Sequence, residues 1–278
     1  MMDQDNLKQL AEQGNAEAQY QFGLTLSDLE EAFKWFKRSA NQGYLDAYYA
    51  LGDCYACSLG VEEDWVTAYS WYLKAALQNH KEAQYDVAEC LASGVGTEKN
   101  EMLAIEWYKK SALNGYALAS NALGYLYEEG KCVSKNYEEA FNWFKLASEQ
   151  GSAIGHYNLA DLYLNGNGVP KNEKLAFEYY LKAVQEDEDF AAARTNLGYC
   201  YEMGYGTEKN MELANEYYLE AASKKNAIGA FNLAESYELG KAVDKNLETA
   251  LYWYKISADL GDKEALEKVK ELEKNDRK

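Results

Sequence analysis

A repeat of 36 residues constrains the fold of this chain more than any other feature of its sequence. An aromatic pair recurs at this interval, stretched once to 38 residues, and its first members are Trp35, Trp71, Trp107, Trp143, Tyr179, Tyr217 and Trp253. An alanine stands three residues before every pair, at Ala32, Ala68, Ala104, Ala140, Ala176, Ala214 and Ala250. A period of this length is typical of stacked helical hairpins.

The repeat divides the chain into seven units and a cap. The units are 12-40, 41-76, 77-112, 113-148, 149-184, 187-222 and 223-258. Residues 259-278 begin an eighth unit without its second helix, and their charged sequence suits the exposed end of a stack. We therefore predict a single repeat domain over residues 1-278.

Each unit has the pattern of a helix, a glycine loop and a second helix. In the fifth unit, apolar residues recur at helical spacing from Ala153 to Tyr163, and Gly166 and Gly168 end this pattern. Asn172 then stands where a side-chain oxygen can cap the second helix. One such pair cannot bury its apolar faces alone, so neighbouring units must stack.

Several strings identify a resemblance to a known family. The strings A-E-Q-G-x-A-x-A-Q-Y at 11-20, Y-N-L-A-D-L-Y-L-N-G-N-G-V-P-K-N at 157-172 and the repeated A-x-x-W-Y-x-K-x-A resemble Sel-1-like repeats, relatives of tetratricopeptide repeats. The resemblance covers nearly the whole chain. It implies an all-α, right-handed α/α superhelical solenoid of seven helix pairs with a C-terminal capping helix. Characterised families of this kind are mostly adaptors, which implies a non-enzymatic scaffold for protein interactions.

The same resemblance implies which side chains line a concave groove, because the first helix of each pair would face it. The predicted partner-binding residues share one helical face and are Tyr20, Asp46, Tyr49, Asp53, Glu82, Tyr85, Glu89, Tyr125, Tyr157, Asp161, Tyr199, Phe231 and Glu235. Carboxylates stand beside tyrosines in the N-terminal half, whereas the C-terminal half is more apolar. A tyrosine ring attracts lysine and arginine, and the carboxylates add to this attraction.

The charge balance favours the same kind of partner. The chain has 46 acidic and 28 basic residues, which gives a net charge of −18. It would repel phosphate backbones and anionic lipid surfaces, so we predict neither nucleic acid nor a membrane as partner. We predict a protein or peptide with basic residues, against the alternative that the acids form a merely solvated surface. The oligomeric state stays open.

No catalytic residue, metal site or cofactor is predicted. The two histidines, His80 and His156, occupy different positions of units that are not adjacent. Loops such as Gly94-Val95-Gly96 follow helices, whereas a dinucleotide-binding glycine loop must follow a strand. Carboxylate pairs are too common in this chain to indicate acid–base catalysis.

The five cysteines bear on two alternative functions and on localisation. Some relatives are disulfide-rich secreted proteins with a proposed penicillin-binding activity, and these have two cysteines per repeat. Here Cys54, Cys90 and Cys200 share a position in the first helix with no cysteine in a second helix, and we interpret them and Cys57 as buried small residues. A hydrolase-like enzyme of that kind and a self-assembling structural component remain the alternatives. With no signal-like N-terminus we expect a cytoplasmic protein, unless a signal peptide was removed.

Overall fold

The chain is all-helical, as the repeat predicts. The computed structural model describes residues 4–275, and in this range it contains sixteen helices and no strand. The helices are α1 (Gln4–Glu12), α2 (Ala16–Leu24), α3 (Leu29–Asn41), α4 (Leu45–Ala56), α5 (Trp65–Ala76), α6 (Lys81–Ser93), α7 (Glu101–Leu113), α8 (Ala117–Glu129), α9 (Tyr137–Glu149), α10 (Ala153–Asn165), α11 (Glu173–Glu186), α12 (Ala191–Met203), α13 (Met211–Ser223), α14 (Ala227–Leu239), α15 (Leu247–Asp259) and α16 (Lys263–Asn275). Residues 1–3 and 276–278 of the predicted domain and cap lie outside the described residues.

The helices form two compact units. The first unit ends at Lys135 and contains α1 to α8, and the second begins at Asn136 and contains α9 to α16. Within each unit every helix packs against the next helix in the chain, and in the second unit α12 also contacts α14. The contacts are therefore those of successive helical hairpins.

Asn172 and the side chains at its position in five other repeats cap the second helices of their pairs. Asn100 accepts a hydrogen bond from the Leu103 amide at 3.1 Å, and Asp64 accepts from the Val66 amide at 3.0 Å. The same role is played by Asn136, Asn172, Asn210 and Asn246. These side chains satisfy amides that have no partner inside the first turn of a helix.

Buried aromatic rings and the repeated alanine explain the period of the sequence. The second member of each aromatic pair is buried, and in the second unit Phe144, Tyr180, Tyr218 and Tyr254 are fully enclosed. All seven alanines that precede the pairs are also buried. A small residue at that position leaves room for the ring, so both are required in every repeat.

The loops between paired helices set the approach of consecutive repeats. Gly60 has a φ of +72°, and a Cβ atom placed there would lie 2.0 Å from the carbonyl oxygen of Leu29, the first residue of α3. A Cβ atom placed at Gly96 would likewise lie 2.2 Å from the carbonyl oxygen of Trp65, the first residue of α5. Each of these glycines therefore lets its loop touch the backbone of the preceding repeat.

The structure adds one helix to the sequence prediction. Helix α1 lies before the first predicted unit, where the sequence analysis assigned no element, and its Ala11 is buried in a cluster with Phe22 and Trp35. At the other end, the predicted capping helix is present as α16, which packs on α15 through the buried Ala265 and Val269. Both terminal helices thus cover the outer face of a helical pair.

Candidate functional site

The predicted partner-binding residues lie on the first helices of the pairs and are accessible to solvent. Glu89, Tyr125 and Tyr199 are exposed, and the rest are half-buried. In the first unit they belong to α2, α4, α6 and α8, and in the second unit to α10, α12 and α14. The two sets are described separately because they belong to different compact units.

The half-buried tyrosines have one face in the core. The Tyr85 ring packs against Tyr108 of its own repeat, with ring centroids 5.6 Å apart, and against Tyr116 of the next repeat at 5.4 Å. Equivalent contacts fix the rings of Tyr20, Tyr49 and Tyr157. These rings are therefore held rigidly, and part of the surface of each tyrosine remains exposed.

The predicted carboxylates accept hydrogen bonds from buried tyrosine hydroxyls. The Tyr72 hydroxyl donates to Asp53 at 2.8 Å, and the Tyr108 hydroxyl donates to Glu89 at 2.5 Å. In the second unit, Tyr180 donates to Asp161. A buried tyrosine hydroxyl needs an acceptor, so these acids have an architectural function in addition to any role in binding.

Phenylalanine repeats agree with this link at the position of Asp53, whereas the buried Tyr218 and Tyr254 donate to acids one turn later, Glu202 and Glu238. Where the buried ring is Phe36 or Phe144, which have no hydroxyl, the position of the acceptor carboxylate holds Leu24 or Tyr125 instead. An acid is thus present at this position only in repeats whose buried ring carries a hydroxyl group.

Lysines of the second unit pair with three acids on its last two first helices, Glu202, Glu235 and Glu238. The Lys241 ammonium lies 2.9 Å from Glu202 and 2.7 Å from Glu235, a predicted partner-binding residue. Lys268 lies 3.0 Å from Glu238. The surface that contains Glu235 is therefore largely compensated within the chain.

Three acids on the first helices of the first unit, Asp53, Asp86 and Glu89, have no such compensation among the described residues. Among residues 4–275, no lysine or arginine lies within ion-pairing distance of Asp53, Asp86 or Glu89. At the edge of this face, the His80 ring nitrogens lie 3.7 Å from Asp46 and 3.4 Å from Glu82, and the Lys81 ammonium lies 3.9 Å from Glu82. This face of the first unit keeps an uncompensated negative charge.

Burial makes this charge unfavourable in the isolated chain. The pKa of Asp86 is raised to about 6, chiefly by burial and also by the nearby carboxylates of Asp53 and Glu89, although a hydrogen bond from Tyr49 lowers it. The pKa of Asp53 is also raised by burial, although the hydrogen bond from Tyr72 opposes the rise. A positive group placed here would stabilise both carboxylates.

Replacing Asp86 with asparagine is therefore expected to stabilise the protein at neutral pH. The folded chain binds the Asp86 proton more tightly than the unfolded chain, because the pKa of about 6 exceeds the ordinary value of 3.8. The ionised form consequently destabilises the fold increasingly as the pH rises through this range. We expect a gain of about 1–2 kcal/mol near pH 7.5, and about half of it near pH 5.

Urea denaturation of both proteins at the two pH values measures this effect. Asparagine retains an oxygen that accepts the Tyr49 hydroxyl, so the comparison isolates the charge. Glu106→Gln removes an exposed carboxylate from α7 and should leave stability unchanged at both pH values. A loss of stability in D86N at neutral pH would contradict the assignment.

The uncompensated acids line a cavity in the first unit. The cavity has a volume of about 450 Å³, and its walls include Asp53, Asp86 and Glu89 together with the rings of Tyr49, Trp65 and Tyr72. The sequence analysis predicted Asp53, Glu89 and Tyr49 but missed the other three. The structure thus brings predicted residues of two adjacent repeats together with residues that the helical-face argument did not consider.

A comparison of the repeats with one another would have identified two of the missed residues. Asp86 is the only charged residue at its position, where the other repeats have Gln21, Ala50, Ala122, Asn158, Asn196 and Asn232. Trp65 is the only tryptophan at the start of a second helix, where the others have Leu29, Glu101, Tyr137, Glu173, Met211 and Leu247. A residue that differs from all the others at its position of the repeat therefore indicates a candidate site, and an analysis of the shared pattern alone overlooks it.

The cysteines conform to the interpretation as buried residues, with one exception. Cys54, Cys90 and Cys200 are buried, and burial raises the pKa of their thiols to about 12, 11 and 12 respectively. The prediction is wrong for Cys57, which is exposed because α4 ends at Ala56. The buried thiols stay protonated and pack as small apolar groups.

The described residues contain neither a membrane-spanning helix nor a cluster of metal ligands. No helix between residues 4 and 275 is both long and apolar enough to cross a membrane. Over the same residues, no three side chains of histidine, cysteine, aspartate or glutamate are grouped so that they could hold a metal ion.

Comparisons with known proteins agree with the repeat architecture. The family model described as Sel1 repeat matches residues 16–44, 45–80, 81–116, 117–152, 153–187, 191–226 and 227–262. These matches begin at the first helix of each pair, slightly later than the units predicted from the aromatic period. No curated protein matches the chain significantly.

Two solved structures resemble the chain at 30% sequence identity. One is c5321, a protective antigen present in uropathogenic Escherichia coli strains with an SLR fold; the similarity covers 98% of this chain with a TM-score of 0.87. The chain spans 59% of the length of that antigen. The other is a Sel1 repeat protein from Oxalobacter formigenes, with 86% of this chain and 96% of that chain covered and a TM-score of 0.75.

These matches extend over most of the chain, and the sixteen helices have the solenoid arrangement that the sequence resemblance implied. Proteins built from Sel1 repeats are generally scaffolds for protein interactions and are typically not catalytic. The chain therefore belongs to the Sel1 repeat family and has its all-α solenoid fold.

Proposed function

We propose that this protein is a non-enzymatic adaptor that holds a basic segment of a partner protein on the first helices of its first compact unit. One observation carries the proposal. Asp53, Asp86 and Glu89 have no lysine or arginine within ion-pairing distance among residues 4–275, whereas Glu202 and Glu235 of the second unit are paired with Lys241. A basic partner would supply the compensation that the first unit lacks.

The tyrosines of this surface support the proposal through their rigidity. Tyr49 and Tyr85 are fixed by rings on either side and cannot lose much conformational freedom on binding. Each exposed ion pair contributes only about 0–1 kcal/mol. The affinity of such a surface therefore depends on several carboxylates acting together with fixed aromatic rings.

The proposal is tested with a variant that removes the charge and keeps the hydrogen bonds. Asp53→Asn, Asp86→Asn and Glu89→Gln together remove three negative charges, and each amide oxygen can still accept a tyrosine hydroxyl. We expect this triple variant to bind short fluorescent arginine-rich and lysine-rich peptides about tenfold more weakly than the natural protein. Fluorescence anisotropy at two salt concentrations measures the affinities.

A matched control separates a local site from the overall charge of the chain. Glu106→Gln, Glu178→Gln and Glu208→Gln also remove three charges, at exposed positions outside the first helices. This control should keep nearly the natural affinity and salt dependence. Equal weakening in both triple variants, or no binding of either peptide by the natural protein, would contradict the proposal.

A further inference from the structure

We propose that the cavity between α4, α5 and α6 receives a single arginine side chain of the partner segment. The inference rests on the proposed function and adds a subsite with a defined side-chain preference to it. The observations that support it are the aromatic wall of the cavity, the fixed carboxylates inside it and the departure of its residues from the repeat pattern.

An exposed indole ring forms one wall of the cavity. Trp65 is the first residue of α5, next to the capping Asp64, and 37% of its surface is exposed. Val95, from the loop after α6, is also exposed at the cavity. Tryptophan that is partly open to solvent beside a pocket is typical of the residues that dominate binding energy.

The carboxylates of the cavity are held in place by hydroxyl groups. Asp86 accepts a hydrogen bond from Tyr49, Asp53 accepts from Tyr72 at 2.8 Å, and Glu89 accepts from Tyr108 at 2.5 Å. An ionised carboxylate has about four lone-pair positions, so each acid can accept further hydrogen bonds. The tyrosines fix the orientation of the acids but do not neutralise their charge.

The residues that distinguish this cavity are not required by the repeat architecture. The first helices of the other repeats have an uncharged residue in place of Asp86, and no other second helix begins with tryptophan. All of these repeats fold into the same helical pair. Trp65 and Asp86 come from adjacent repeats and line one cavity, which packing alone does not explain.

Arginine matches this cavity better than lysine or a metal ion does. Its flat guanidinium group stacks on an indole ring and presents several N–H donors to carboxylates in one plane. Lysine offers a point charge without this stacking face. A metal ion does not fit, because within residues 4–275 no three acidic, histidine or cysteine side chains are gathered closely enough to bind one.

Peptide preference tests the inference. The natural protein should bind an arginine-rich peptide more tightly than a lysine-rich peptide of equal length, and Trp65→Ala should weaken the arginine peptide about tenfold. Binding of the lysine peptide should change by less than about twofold, since its attraction depends on charge. Trp65→Phe keeps an aromatic face and should restore most of the arginine preference. Leu247→Ala, at the same position of the last repeat, should have no effect.

A second measurement follows the natural sequence and uses the conservative variant Trp65→Phe only to assign one resonance. The protein labelled with 5-fluorotryptophan should give one ¹⁹F resonance that is absent from Trp65→Phe, and this resonance should shift when the arginine-rich peptide is added. If the charge-removing triple variant weakens binding but Trp65→Ala does not, the arginine subsite is wrong and the proposed acidic surface for a basic segment stands. If the triple variant binds normally, the proposed function itself fails.

Discussion

Replacing Gly60 with alanine is expected to lower the free energy of unfolding by about 2–4 kcal/mol. The backbone at Gly60 has a φ of +72°, and an added Cβ atom would lie 2.0 Å from the Leu29 carbonyl oxygen. The left-handed conformation destabilises alanine, and the contact forces the loop away from the start of α3. Urea denaturation followed by circular dichroism measures the loss.

A second glycine separates the backbone strain from the contact. Gly115 has a φ of +88°, and an added Cβ atom would meet no atom within 4 Å. Gly115→Ala should therefore lower stability by only about 1 kcal/mol, which is the strain of the left-handed conformation. Equal losses at Gly60 and Gly115 would show that the approach of the loop to the preceding repeat has no energetic importance.

Two natural repeats explain why the expected loss at Gly60 is limited. Cys132 and Ala242 stand at the position that is Gly60 in the second repeat, and both have positive φ values, of 63° and 54°. These repeats accommodate a Cβ atom, so the loop can move by the small distance that is needed. In the other repeats, glycine at this position allows the loop to lie closest to the backbone of the preceding repeat, but the fold does not require it.

The sequence predicted the fold well because each requirement of the repeat is local. The alanine and the aromatic pair lie on one turn of helix, and capping residues such as Asn100 act on amides two or three residues away. Helix α1 was missed because it precedes the first aromatic pair and has no repeat partner of its own. Its contacts with Phe22 and Trp35 become visible only in the folded chain.

The candidate site was less predictable because its electrostatics depend on distant residues. The sequence placed Asp53 and Glu235 at the same position of two repeats, and nothing local distinguishes them. In the structure, Glu235 lies 2.7 Å from the Lys241 ammonium, whereas Asp53 accepts a hydrogen bond from Tyr72 and has no lysine or arginine of the described residues within ion-pairing distance. A helical-face argument identifies which side chains are accessible, but it does not identify which charges the chain already compensates.

The difference between acids that are paired with lysines and acids that are not changes how the negative charge of the chain is interpreted. Acids such as Glu202 and Glu238 accept tyrosine hydroxyls and are paired with lysines, so part of the negative charge supports packing. The first unit retains acids that serve tyrosines and also lack a cation. We therefore expect binding to depend on this smaller group, and the stability of the second unit to depend on its tyrosine–carboxylate pairs.

Removal of Tyr180 tests the architectural part of this argument. Tyr180 is fully buried, and its hydroxyl donates to Asp161, whose pKa burial raises and this hydrogen bond lowers. Tyr180→Ala should lower the free energy of unfolding by about 3–5 kcal/mol, because it removes a large buried ring and leaves a cavity. Tyr180→Phe keeps the ring and should lower it by about 1–2 kcal/mol.

The phenylalanine variant isolates the hydroxyl group, and an exposed tyrosine provides its control. Tyr252 lies on α15 with 58% of its surface exposed, so Tyr252→Phe should change stability by less than about 0.5 kcal/mol.

Without the Tyr180 hydroxyl, the ionised form of Asp161 loses a donor while it remains half-buried, and its pKa should rise further. The loss in Tyr180→Phe should therefore be larger near neutral pH than near pH 5, in urea denaturation at both values. If Tyr180→Phe is as stable as the natural protein, the buried ring does not need the acid at this position. Asp161 would then have no architectural role, and binding would be the only role left for it.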